Sequence, residues 1–279
     1  MTASETGETP SADQTEQESR PKRRIRMTVS YDGTGYCGWQ LQPDEMTVQG
    51  ELETALSRIL GEDIRLTGAS RTDAGVHATG QVAHFDLTGR LAAVEIDRAL
   101  NSILPEQIRV REVEQVPGDF HARYSARWKI YRYSLAEPDL PDAPLLARTH
   151  WLRNNAVDIS LLGRCCELVQ GRHGFFTFSK QEGHRENHDC EIFEARWSSG
   201  EGTLYFQLRG DRFLRGMVRM LVGGMLAVAD GRADIGEFSA ALNEPGRWKR
   251  AVPAPACGLT LVCVNYRDES EADPQSGTK

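Results

Sequence analysis

DIRLTGASRTDAGVHATGQVAHFDL, residues 63–87, decides how the chain divides into elements. Its two ends, DIRLTGA (63–69) and GQVAHFDL (80–87), read as strands. GASRTDAGVHATGQ (68–81) joins them and is far longer than a hairpin needs. The small residues Gly68, Ala69, Ser70, Ala74, Gly75, Ala78 and Gly80 leave Arg71, Asp73 and His77 as the groups able to act. Two readings stand side by side. In one, Asp73 caps a turn and pairs with Arg71. In the other, a neighbouring arginine holds the carboxylate ionised for covalent or acid–base work.

Working outward, TVQGELETALSRIL (47–60) places Val48, Leu52, Ala55, Leu56 and Ile59 on one helical face, with Thr47 as N-cap. IRMTVSY (25–31) reads as a strand. VEIDRALNSIL (94–104) sets Ile96, Ala99, Leu100 and Ile103 at helical spacing and stops before Pro105. IRVREVEQV (108–116) is a further strand. The order is βαββαβ, the split-βαβ pattern of a ferredoxin-like unit.

The second part repeats that order. RWKIYRYSL (127–135), CEIFEARW (190–197), TLYFQLR (203–209) and LTLVCVNY (259–266) read as strands. SLLGRCCELVQG (160–171) reads as a helix capped by Ser160 and stopped by Gly171. FLRGMVRMLVGGMLAVADG (213–231) reads as a strong helix, and DIGEFSAALN (234–243) as an extra one. The halves share a pattern, not residues. The expected fold class is α+β: two ferredoxin-like halves with sheets side by side, helices packed on one face and a cleft between. The expected divisions are a disordered acidic tail (1–22), an N-terminal half carrying the Asp73 loop (23–118), a C-terminal half (119–267) and a second acidic tail (268–279).

The 279 residues carry a net charge of -7, which points away from a nucleic-acid partner until its distribution is read. Residues 1–20 hold five acids against Arg20, a net of -4, and residues 267–279 a net of -2, so the body is close to neutral. Within the body the cations cluster: Lys22, Arg23, Arg24 and Arg26; Arg123, Arg127, Lys129 and Arg132; Arg209, Arg212, Arg215 and Arg219. The second cluster interleaves with Tyr124, Trp128, Tyr131 and Tyr133. That composition suits a surface that follows phosphates and stacks bases, and equally a solvated strand face with its aromatics turned into the core. No run approaches a membrane span and MTASETGETP lacks the marks of a secretory signal, so a cytoplasmic protein with reduced cysteines is expected.

Three further features bear on chemistry. Gly33, Gly35 and Gly38 in DGTGYCG match a dinucleotide fingerprint formally. They fail it in context, because no helix opens there for a pyrophosphate to meet. The stretch reads as a Gly-rich turn, or as a loop that lets a large ligand approach the backbone. His184, His188 and Cys190 lie close together without an obvious fourth ligand, so no metal is expected. Arg212, Arg215 and Arg219 form one stripe if 213–231 is helical throughout. Arg219, flanked by Val218 and Met220, is then partly buried and needs an anion, either Asp73 or a phosphate. The alternative is a solvated face paired with acids such as Asp211.

YDGTGYCGWQ, GASRTDAGVHATGQVAHF, DFHARYSARWKIYRY, FLRGMVRMLVG and PAPACGLTLVCVNY together resemble the TruA family of tRNA pseudouridine synthases, in order, from about Arg24 to Tyr266. RTDAGVHA is the most specific of these motifs. The resemblance implies a homodimer of two-part α+β subunits that isomerises uridine at positions 38, 39 and 40 of the tRNA anticodon stem–loop without a cofactor. It implies Asp73 as catalytic aspartate, and Tyr131 as the residue that stacks on the uracil and assists proton transfer. Arg219 is implied as the partner of Asp73, and Arg71 as a residue that helps take the base out of the stack. Thr72, Gly75, His77, Arg127, Lys129, Arg212 and Arg215 are expected around the substrate. Cys257 and Thr260 stand where the family often has His and Tyr, and FFTFSKQEGHRENHDC is a loose version of its loop.

Two other functions fit parts of the chain. A non-catalytic RNA-binding module accounts for the basic and aromatic strands but leaves RTDAG unexplained. A glycosidase-like hydrolase wants a second carboxylate beside Asp73. Asp86, on the strand beyond, is poorly placed for that.

Overall fold

Arg23–Tyr31 (β1) is bracketed by two antiparallel neighbours, His77–Leu87 (β3) and Ile108–Val116 (β4). The computed structural model describes residues 22–153, 157–180 and 187–267. The second acidic tail, all of the first but Lys22, and His184 of the His/Cys cluster lie outside the described residues. Two helices, Val48–Leu60 (α1) and Ala93–Ile103 (α2), connect these strands together with the two-residue strand Thr67–Gly68 (β2). The remaining elements are Trp128–Ala136 (β5), Ala143–Leu146 (α3), Trp151–Leu152 (β6), Ile159–Val169 (α4), Gly171–Gly174 (β7), Asp189–Gly200 (β8), Thr203–Gly210 (β9), Met217–Ala229 (α5), Ile235–Asn243 (α6) and Leu259–Asn265 (β10).

The sheet runs β4-β1-β3-β10-β5-β9-β8-β7, with β2 on β3 and β6 on β5. The two sheets expected side by side are thus one continuous ten-stranded sheet. Its seam is the short parallel pairing of β3 with β10, Thr260 opposite His77 and Leu261 opposite Ala78. β10 in turn runs antiparallel to β5. The C-terminal strand therefore sits between the two halves, and the seam starts four residues after Asp73.

Apolar periodicity builds the core. Ile25, Met27 and Val29 of β1 are fully buried, as are Leu52 and Leu56 of α1 and Ile96 and Leu100 of α2. They join one hydrophobic cluster with Leu162 and Val169 of α4 and Leu221, Val222 and Met225 of α5. Burying side chains of this size is worth about 1.5–3 kcal/mol each. Thr47 caps α1, its hydroxyl accepting from Gly50 N–H at 3.2 Å.

Three expectations need correction. The strand at 63–69 shrinks to Thr67–Gly68 because side chains of α1 take the backbone groups a ladder would use. Ser57 Oγ accepts from Ile64 N–H, Glu53 Oε1 accepts from Leu66 N–H at 2.8 Å, and Gln49 Nε2 donates to Leu66 O. The helix at 213–231 starts only at Met217, because Gly216 adopts φ 72°, outside the right-handed helical region. Arg212 and Arg215 thus precede the helix, and the proposed single stripe with Arg219 does not form. Finally, α4 is capped by Asp158, which accepts from Ser160 and Leu161 N–H, and Gly171 begins β7.

Candidate active site

The loop between β2 and β3 is held almost residue by residue, mostly from other elements. Ala69 N–H donates to Val82 O, and Ala69 O accepts from Lys129 Nζ of β5 at 2.9 Å. Gln81 brackets Ser70 from both sides, accepting from its N–H at 3.2 Å and donating to its carbonyl at 2.6 Å. Ser70 Oγ shares a 2.8 Å hydrogen bond with Tyr131 OH, and Thr72 Oγ1 one of 2.8 Å with Tyr31 OH. Lys129 and Tyr131, two apart on β5, face the same side and reach neighbouring loop residues. A loop fixed in this way presents its tip without loss of order on binding.

Asp73 stands at that tip, its side chain 18% exposed. Arg219 Nη1 donates to Asp73 Oδ2 at 3.0 Å, while Arg219 Nε donates to Ala254 O at 2.6 Å. Arg215 Nε lies 3.7 Å from Asp73 Oδ1. The carboxylate therefore pairs with the second half of the chain and not with Arg71, which is exposed and makes no ion pair among the described residues. Gly75, at φ 76°, turns the chain straight after the carboxylate, and Val76 N–H closes the turn on Asp73 O at 3.1 Å.

The Gly-rich stretch is the outer wall of this loop. A Cβ on Gly38 would stand 2.5 Å from Thr72 O, and one on Gly33 would stand 2.1 Å from Val76 O. At Gly33 and Gly38 the small residue lets backbone approach backbone, and what comes close is the Asp73 loop. Gly33 N–H also donates to His77 Nδ1 at 3.1 Å, and the same ring nitrogen lies 3.2 Å from Asp32 Oδ1. Arg148 Nη2, from the second half, reaches Asp32 Oδ2 at 2.7 Å. Burial works against the Asp32 carboxylate, yet hydrogen bonds from Thr34 and the charge of Arg148 hold it below the usual carboxylate range.

The remaining expected residues fall into two groups. Lys129 and His77 are buried, at 7% and 4% exposure, and support the loop from behind. Burial, aided by Arg123, pulls the Lys129 ammonium down to about 8. Arg215 is exposed and reaches the tip, Arg212 is half-buried just before Arg215 in the chain, and Arg127 is exposed immediately before β5, where its N–H donates to Asn265 O. Tyr131 is 5% exposed, edge-on to Phe213 at 5.0 Å, and burial pushes its hydroxyl up to about 12, so it is neutral near pH 7. Ser70, Gln81, Tyr31 and Asp32 were not anticipated. Gln81, a polar residue inside the apolar run of β3, was the available signal.

A family model described as tRNA pseudouridine synthase matches residues 27–125 and 165–267, well over half of the chain. The chain belongs to the tRNA pseudouridine synthase family. Both matched segments enter the site, the first with Asp73 and the second with Arg219. Curated relatives agree. The chain is 40% identical over 250 residues to tRNA pseudouridine synthase A of Chlorobaculum tepidum, covering 89% of this chain and 100% of that protein. It is 42% identical over 248 residues to the protein of that name from Chlorobium luteolum, covering 88% and 97%. It is 36% identical over 245 residues to that of Ruminiclostridium cellulolyticum. As a pseudouridine synthase family member the chain is an isomerase. Among the described residues no group of acids, histidines and cysteines could hold a metal, and no helix is long and apolar enough to cross a membrane.

Proposed function

We propose that the chain isomerises uridine to pseudouridine at positions 38, 39 and 40 of the tRNA anticodon stem–loop, with Asp73 as nucleophile or base. The observation that carries this reading is the pairing of Asp73 with Arg219 at the tip of a loop clamped by both halves. The reaction breaks the N1–C1′ bond, turns the uracil, forms C5–C1′ and moves the C5 proton. No electron or group is transferred overall, so the chemistry calls for no cofactor.

Each residue then has a task. Arg219 pairs with the Asp73 carboxylate and keeps it aimed. Tyr131, neutral and rigid, offers its ring to the uracil and its hydroxyl to a proton in transit. Extruding a stem uridine costs a few kcal/mol. Arg71, exposed two residues before Asp73, takes the vacated position in the stack on this reading. Arg127, Arg212 and Arg215 meet phosphates, which offsets the extrusion cost. Thr72, Gly75, His77 and Lys129 serve the substrate indirectly, by fixing the loop.

The wider assignment follows the same reading: ferredoxin-like halves divided near residues 118 and 119, helices on one face, the active-site cleft between them, a homodimer and a cytoplasmic location. The test is a tRNA transcript treated with the protein and then with a pseudouridine-specific label that arrests reverse transcription. Arrests at 38, 39 or 40 support the proposal; their absence rejects it.

A further inference from the structure

Tyr124 is 76% exposed, the most exposed aromatic side chain among the described residues. A lone exposed aromatic needs no explanation, but this one is built into place. The His121 ring lies 4.3 Å from it, tilted 34°, and the His84 ring, from β3, lies 5.0 Å beyond His121. His121 Nδ1 accepts from the backbone N–H of Arg123 at 3.1 Å and of Tyr124 at 3.2 Å, so its ring cannot turn without losing both bonds. His84 Nδ1 accepts from Ala122 N–H at 3.1 Å, and Arg24 donates to Phe120 O at 2.9 Å, pinning the segment to the sheet. The Arg123 guanidinium sits 5.6 Å over the Tyr124 ring and has no ion pair among the described residues.

An ordered, solvent-facing ring topped by an unpaired cation matches a nucleotide in both its parts. The ring offers a flat surface to a base, and the guanidinium a charge to its phosphate. We propose that Tyr124 and Arg123 form a second RNA contact that stacks an unpaired nucleobase of the bound tRNA. The proposal rests on the RNA-modifying reading above. It concerns a different nucleotide from the reacting uridine: His77, beside the Asp73 loop, and His84, under the platform, are seven residues apart on β3, about 23 Å of strand.

The test measures binding of a full-length tRNA transcript to Tyr124→Ala, Tyr124→Trp and Arg123→Gln, with the oligomeric state of each followed by sedimentation. Tyr124→Ala is expected to bind about tenfold more weakly, with the loss in KM rather than kcat, and Tyr124→Trp to recover it. Arg123→Gln is expected to flatten the salt dependence of binding by about one phosphate contact. Unchanged affinity in Tyr124→Ala would overturn the proposal. So would a loss explained by subunit dissociation, since the ring would then face a second copy of the chain. Binding involves no chemistry, so failure of the isomerase reading shows separately, as tRNA bound without pseudouridine formed.

Discussion

Arg219 Nη1 and Asp73 Oδ2 meet at 3.0 Å across a separation of 146 residues. The guanidinium has a second anchor, Ala254 O, which fixes it independently of the carboxylate. One half of the chain thus supplies the acid and the other its counter-charge. Neither half is complete alone.

Arg219→Ala leaves the carboxylate short of its closest counter-charge and removes a preorganised dipole from the site. Turnover is expected to fall by about 100-fold. Arg219→Lys keeps the charge but cannot serve Ala254 O and Asp73 together, so it rescues only in part. Single-turnover pseudouridine formation reads this directly. A rate for Arg219→Ala within twofold of wild type would contradict it.

Gly38 and Gly35 separate backbone strain from contact. Both have positive φ, 92° and 83°. A Cβ at Gly38 would meet Thr72 O at 2.5 Å, whereas one at Gly35 meets nothing within 4 Å. Both alanine variants are expected to lose about 1 kcal/mol or more through strain. Only Gly38→Ala should displace Asp73 and lose turnover. Thermal unfolding and initial rates on the two variants decide it, and equal activity in both would be the contrary result.

Lys129 sets a pH dependence. Its side chain titrates at about 8 in the folded chain, against 10.5 ordinarily, because it is buried and Arg123 is near. Between these values the unfolded chain holds a proton that the folded chain lacks, so stability rises with pH across that window. Below about pH 8 the full cost of burying the ammonium is present. Relative to Lys129→Met, the wild type should gain up to about 3 kcal/mol between pH 8 and 10.5. Urea unfolding of both proteins at pH 7.5 and 10 measures the difference. A difference that does not change with pH would refute the assignment.

His84 works at the acid end. Burial, then the charge of Arg24, lowers it from 6.5 to about 4. Its stabilising contribution is complete above pH 6.5 and is lost as pH falls through 4, by about 3 kcal/mol at most. His84→Gln should show a shallower loss of stability between pH 6.5 and 4.5 than the wild type. Parallel curves would count against the shift.

Elements whose own periodicity carries them were legible in the chain. Ile108–Val116 matches its expected span residue for residue, and Thr47 caps α1 as read. Residues 63–66 were not, because their backbone bonds go to Ser57, Glu53 and Gln49, which no local pattern reveals. Gly216 hid the true start of α5 inside an apolar run. At the site, a partly buried arginine needing an anion left Asp73 or a phosphate as the partner of Arg219, and the structure pairs it with Asp73. The bonds from Tyr131 to Ser70 and from Tyr31 to Thr72 join residues far apart in the chain, and neither sequence neighbourhood signals the other.

The central claim is that Asp73 carries the chemistry. Asp73→Asn keeps the shape and the loop contacts while removing the charge. Incubated with a tRNA carrying uridine at 38, 39 or 40, the variant is expected to bind with near-wild-type affinity and form no pseudouridine. Wild-type turnover by Asp73→Asn would contradict the account.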